Sequence, residues 1–182
     1  MSKRILLMRH SKTDCHDQKR VIGTTDIGLN EEGIAMVKEK LDVLSRYGIE
    51  LVVTSNLKRA YQTGEIISDA LGVPLSVNDE IYERKQGLLE GMEFDEVIRQ
   101  HGKVTSLTKI DGRERLKEFM NRIRNGFNEI CQTNDEDVIL IIAHSNVLKT
   151  FLQINGIRVE NWRLCDVKEV IYYENFKWEM KE

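Results

Sequence analysis

A single proline, Pro74, and no stretch rich in glycine, serine or proline leave the chain without a flexible linker. Three cysteines, Cys15, Cys131 and Cys165, are an odd number at no metal-like spacing. They indicate neither a disulfide framework nor a cysteine-built metal site, and a reduced, cytoplasmic setting is the simplest expectation. No apolar run approaches the length that crosses a bilayer. Ile5-Leu6-Leu7-Met8 is cut off by Arg9, too short even for a secretory leader. Positive charge is not in excess: 27 lysines and arginines against 30 aspartates and glutamates leave a net −3. The chain as a whole therefore repels nucleic acid and anionic membranes, which favours a small-molecule partner. What is present is ordinary for a globular protein, 41% hydrophobic and 31% charged over 182 residues, enough for one core. A single domain over 1–182 is expected.

Short apolar runs alternate with longer amphipathic ones. Ile5–Met8 predicts a strand buried on both faces. Residues 30–47 predict a helix capped by Asn30, with Ile34, Val37, Leu41 and Leu44 on one face and Gly48 at its C-terminal turn. Leu51-Val52-Val53 is a second strand. Asn56 is the expected cap of a helix closed by Gly72, and 75–81 predict a weaker third strand. The pattern from Phe94 to Gln132 is helical with a break near 104–112. Val138–Ala143 is the most apolar run and predicts a central strand, followed by a helix over 146–154. Residues 168–180 predict a strand pair turning at Glu174-Asn175. This alternation describes a layered α/β domain with a mainly parallel sheet.

In such folds the site lies beyond the carboxyl ends of the strands. The first strand ends in Arg9-His10 and the central one in Ala143-His144, so two of the four histidines stand where a site belongs. Arg9-His10-Ser11-Lys12-Thr13 follows its strand directly, and Asn146 opens a helix just after His144. A helix start offers free N–H donors and a positive dipole end, both suited to phosphate.

Here the sequence resembles the histidine phosphatase superfamily, which includes cofactor-dependent phosphoglycerate mutases and many small phosphatases. Arg9-His10-Ser11-Lys12-Thr13 is similar to the family's Arg-His-Gly-x-Thr opening, with serine for glycine. Residues 23–33 resemble its G-x-x-D-x-P-L-T-x-x-G loop, and 54–63 its S-x-L-x-R-A-x-Q-T segment. Residues 81–91 resemble L-x-E-x-x-x-G-x-x-E-G, and 143–146 parallel its S-H-G-G element.

The resemblance implies a three-layer α/β/α sandwich of the phosphoglycerate mutase type, with a short cap insertion at about 92–112. It implies that Arg9, Arg59 and His144 hold phosphoryl oxygens, so that no metal or other cofactor is needed. His10 would attack as a neutral nucleophile and Glu83 would act as acid and then base. Thr13, Ser145, Asn146, His16 and Arg84 are the further candidates for contact with phosphate or substrate. His16 stands where family members often carry asparagine, and Arg84-Lys85 follow the acid directly. Ser11 and Ser145 replace glycines, which raises the question of strained backbone. Arg113, Arg115, Arg122 and Arg124 make a basic helical stretch, either a solvated face or a rim for anions. The short cap favours hydrolysis of a small phosphorylated metabolite, with α-ribazole phosphate and sugar or nucleotide phosphates all compatible. A phosphoglycerate mutase is the runner-up, suggested by Glu83-Arg84-Lys85-Gln86-Gly87. A non-catalytic phospho-ligand binding module comes third.

Overall fold

The structure, a computed structural model, describes residues 2–181. Six strands form one sheet: β1 (Ser2–Arg9), β2 (Leu51–Thr54), β3 (Leu75–Val77), β4 (Val138–Ala143), β5 (Val167–Tyr173) and β6 (Lys177–Met180). Their order is β3-β2-β4-β1-β5-β6. The first four in that order run parallel, and β5 and β6 add an antiparallel edge. The helices are α1 (Asp14–Asp17), α2 (Glu31–Leu44), α3 (Lys58–Leu71), α4 (Phe94–His101), α5 (Leu116–Thr133) and α6 (Ser145–Ile154). None of them is long and apolar enough to cross a membrane.

The period of two along the central strands divides the core into two layers. Ile5 and Leu7 of β1 and Ile139 and Ile141 of β4 face α5 and α6, meeting Phe119, Ile123, Phe127 and Phe151. Leu6, Met8, Leu140 and Ile142 face the other way, toward Val37 of α2 and Ala60 and Ile67 of α3. The result is the three-layer α/β/α sandwich. Phe127 stacks on Phe151 at 3.8 Å between ring centroids, and Trp178 of β6 closes that layer edge-on to both rings.

Asn30 caps α2 as expected, accepting from the Gly33 N–H, and Gly48 and Gly72 take the left-handed conformation that ends their helices. Two expectations need correction. Asn56 does not cap α3: the Lys58 N–H donates instead to Asp26, brought from a distant loop. The third strand stops at Val77, because the Asn78 side chain accepts the Glu80 N–H and turns the chain away from the sheet. The short helix α1 was not anticipated. The break in the long helical stretch spans 102–115, between α4 and α5.

Candidate active site

The site is set by strand register. β1 and β4 lie side by side with Arg9 opposite Ala143, and the His10 N–H donates to the Ala143 carbonyl at 3.0 Å. The residues just beyond those strand ends, His10 and His144, therefore emerge together, with ring centroids 5.1 Å apart. β2 ends beside them, so Ser55 reaches His144.

Each side chain is oriented by a named partner. His10 places Nδ1 2.7 Å from the Ser11 carbonyl. A carbonyl only accepts, so Nδ1 carries the proton and Nε2 keeps its lone pair. Burial, reinforced by Arg59, His144 and Arg9, pushes the His10 pKa well below its ordinary value and keeps the ring neutral. The Ser55 hydroxyl lies 2.7 Å from His144 Nε2 and accepts from the Leu57 N–H. Donation of the Ser55 proton to Nε2 is the arrangement that puts the His144 proton on Nδ1. Arg59 is fully buried and donates through Nη1 and Nη2 to the carbonyls of Thr25 and Gly23. Arg9 donates to the Trp162 carbonyl and meets His16 Nε2 at 3.2 Å.

Among the described residues, four buried side-chain polar atoms lack a partner, and three of them are Arg9 Nε, Arg59 Nε and His144 Nδ1. A buried donor without an acceptor costs roughly 1–3 kcal/mol, so such atoms gathered at one place mark a site for an anion. His16 stands against this group. An arginine only donates, so the 3.2 Å contact makes His16 Nε2 the acceptor from Arg9 Nη2, while Nδ1 lies within reach of the Thr13 hydroxyl and carbonyl. Burial and Arg9 hold the His16 pKa at about 4, so the ring is neutral near neutrality.

Glu83 is buried, accepting from the Arg84 N–H at 2.7 Å and, more weakly, from the Asn146 N–H at 3.4 Å. Burial raises its pKa, against the pull of those donors and of Arg59. A cavity of about 690 Å³ opens onto this group, lined among others by Arg9, His10, His16, Arg59, Glu83, Ser145 and Asn146. His144 sits just beneath it.

The sequence model of the histidine phosphatase superfamily (branch 1) matches residues 5–179. The chain belongs to that superfamily. It is 28% identical to the uncharacterized phosphatase PhoE of Bacillus subtilis (strain 168), covering 98% of this chain and 92% of that one. A mycobacterial glucosyl-3-phosphoglycerate phosphatase solved with VO3 superposes with a TM-score of 0.88 at 18% identity, covering 99% and 98% of the two chains. The α-ribazole phosphatase of Shigella flexneri gives 0.81 at 18% identity, covering 98% and 94%. These two likenesses speak to the fold, and the family match makes this chain a histidine phosphatase.

The departures from the family pattern are accommodated without strain. Among the described residues neither Ser11 nor Ser145 takes a positive φ. The Ser11 hydroxyl donates to the Gly33 carbonyl at 2.7 Å, and Gly33 is required there because a Cβ would collide with the Lys12 carbonyl. Two other expectations change. Arg84 does not reach the cavity: it donates Nε and Nη2 to the Glu114 carbonyl and Nη1 to that of Ser106. Thr13 is buried behind His16 and acts as the cap of α1. Of the basic stretch, only Arg113 lines the cavity. Arg122 is bound to the Glu114 carboxylate and stacked 3.5 Å from the Tyr82 ring centroid, while Arg115 and Arg124 are exposed.

Sequence reasoning also missed Glu90. Its carboxylate accepts from the backbone N–H groups of Thr24, Thr25 and Gln86 and from both threonine hydroxyls. That cinches the loop whose carbonyls hold Arg59. Burial works to raise the Glu90 pKa, but these donors outweigh it and hold it below the ordinary carboxylate value. A carboxylate depressed on folding contributes stability that is full above its unfolded pKa and drains as pH falls through the folded value. Glu90→Gln is therefore expected to cost about 2 kcal/mol in urea denaturation at pH 7. The gap should narrow below pH 4, and an equal gap at both ends would show that the charge is not what binds the loop.

Proposed function

We propose that this chain hydrolyses a small phosphomonoester through a covalent intermediate on His10, with arginine side chains rather than a metal neutralising the phosphoryl charge. The observation that carries the reading is the His10 Nδ1–Ser11 carbonyl bond, which leaves an unprotonated Nε2 beside Arg9, Arg59 and His144.

The steps follow from the orientations. The phosphoryl oxygens accept from Arg9 Nε, Arg59 Nε and His144 Nδ1, each now paired, with His16 standing beside Arg9. His10 Nε2 attacks phosphorus, the P–O ester bond breaks, and protonated Glu83 gives its proton to the leaving oxygen. Water then attacks the phosphorus, Glu83 takes its proton, and the P–N bond breaks to release phosphate and restore neutral His10. The raised Glu83 pKa and the lowered His10 pKa both favour the forms this cycle starts from. The α6 N-terminus, with Ser145 and Asn146 in the cavity wall, turns its positive dipole end toward the cavity. α-Ribazole phosphate and sugar or nucleotide phosphates remain the candidate substrates, and a reducing cytoplasm suits three unpaired cysteines.

The test is phosphate release from a panel of phosphomonoesters in excess EDTA. Turnover undiminished by chelation is the expected result. Turnover that disappears and returns with added Mg²⁺ would overturn the metal-free step. Transfer between phosphoglycerates that depends on 2,3-bisphosphoglycerate and outpaces phosphate release would make the chain a mutase. Phosphate binding with no turnover of any ester would make it a binding module.

A further inference from the structure

The groups that meet the phosphoryl moiety form only part of the cavity wall. Val21, Ile22, Leu89, Phe94, Val97 and Ile98 line the same space. Val21 and Ile22 follow α1, Leu89 lies beyond the Gly87 turn, and the other three come from α4. Val97 packs inward, while Phe94 and Ile98 stay 51% and 62% exposed along the opening. Phe94 and Ile98, left open at the cavity beside the half-buried Val21 and Ile22, are what a binding wall for an apolar group requires.

Two of the charged groups nearby already have partners. Arg20 is ion-paired with Glu93 at 2.9 Å and donates to the Gly91 carbonyl. Arg113 donates to the Gln86 side chain and to the carbonyls of Thr105 and Thr108. Lys103 stands exposed at the rim. A leaving group bearing a carboxylate would gain little from Arg20 or Arg113 without displacing those bonds. A glyceryl-sized group would leave most of a 690 Å³ cavity wet and its apolar wall uncovered.

Resting on the phosphatase reading above, we propose that the substrate is the phosphomonoester of an alcohol with a bulky, ring-sized apolar body, held against Phe94 and Ile98 of α4. The wall acts on the part of the substrate that does not react, so it sets selectivity among esters.

The experiment compares kcat/KM for 2-phenylethyl phosphate with that for glycerol 1-phosphate and phosphoserine. All three release alkyl alcohols, so intrinsic leaving ability does not imitate recognition. The wild type is expected to prefer the phenylethyl ester by at least roughly tenfold, the usual worth of burying an apolar group in a pocket. Phe94→Ser and Ile98→Ser, at positions too exposed to hold the fold together, are expected to bring that ratio down toward one. A wild type that turns over phosphoserine or glycerol 1-phosphate equally well overturns the inference and leaves the reaction standing. A preference that both variants retain overturns the assignment of the wall to α4. No turnover of any ester overturns the phosphatase reading and this inference with it.

Discussion

Replacing His10 with alanine is expected to lower phosphate release by roughly 10⁵-fold, because a residue that forms the covalent intermediate cannot be bypassed by its neighbours. The arginine clamp survives the change, so substrate affinity should move far less than turnover. That split separates a nucleophile from a residue that only binds phosphate. Wild-type protein quenched during turnover with labelled substrate should retain label that is stable in alkali and lost in acid, as a phosphoramidate is, and His10→Ala should retain none. Since His10 is buried, thermal unfolding of the variant must first show that it folds. A folded His10→Ala protein within tenfold of wild-type turnover would mean that another group attacks phosphorus.

Glu83→Gln is expected to cost roughly 10³-fold on alkyl phosphates, in the range general acids contribute. It should cost much less on p-nitrophenyl phosphate, whose leaving oxygen departs without a proton. The pH dependence sharpens this. Protonated Glu83 is the donor and burial raises its pKa, so kcat/KM should decline on the alkaline side at a pH above the ordinary carboxylate range. Neutral His10 is the reactive form and its pKa is depressed, so the acid limb should lie well below the usual histidine value. The variant should keep the acid limb and lose the one that reports Glu83. An equal loss on both kinds of ester, with both limbs kept, would remove Glu83 from the proton transfer.

What could be read from the chain, and what could not, follows from how far each determinant reaches. Val138–Ala143 announces a central strand because all six residues are apolar, and Asn30 announces a helix because its partner is three residues away. The two histidines are legible because a parallel sheet puts its site at strand ends. Asp26 capping α3 and Glu90 cinching the 23–25 loop join segments 32 and 66 residues apart, and nothing local records them. Arg84 was misplaced for a related reason. Its backbone N–H does serve Glu83, but beside the turn at Gly87, where the Leu88 N–H donates to the Asp111 carbonyl, the Ser106 and Glu114 carbonyls take its guanidinium. Gln86 and Arg113 reach the cavity instead. The apolar wall was invisible because its members are scattered from Val21 to Ile98 and follow no single period.

The order of strands also governs when the protein can begin to work. β1 emerges first during synthesis, yet its two neighbours in the sheet are β4 and β5, which begin at Val138 and Val167. A nascent chain that has passed Glu83 already carries Arg9, His10, Arg59 and the acid, but β1 has no strand to lie against and His10 no Ala143 carbonyl to anchor its backbone. The long closure between the first strand and its partners makes assembly of the site a late event on the ribosome, and no N-terminal fragment ending before β4 can hold the clamp together.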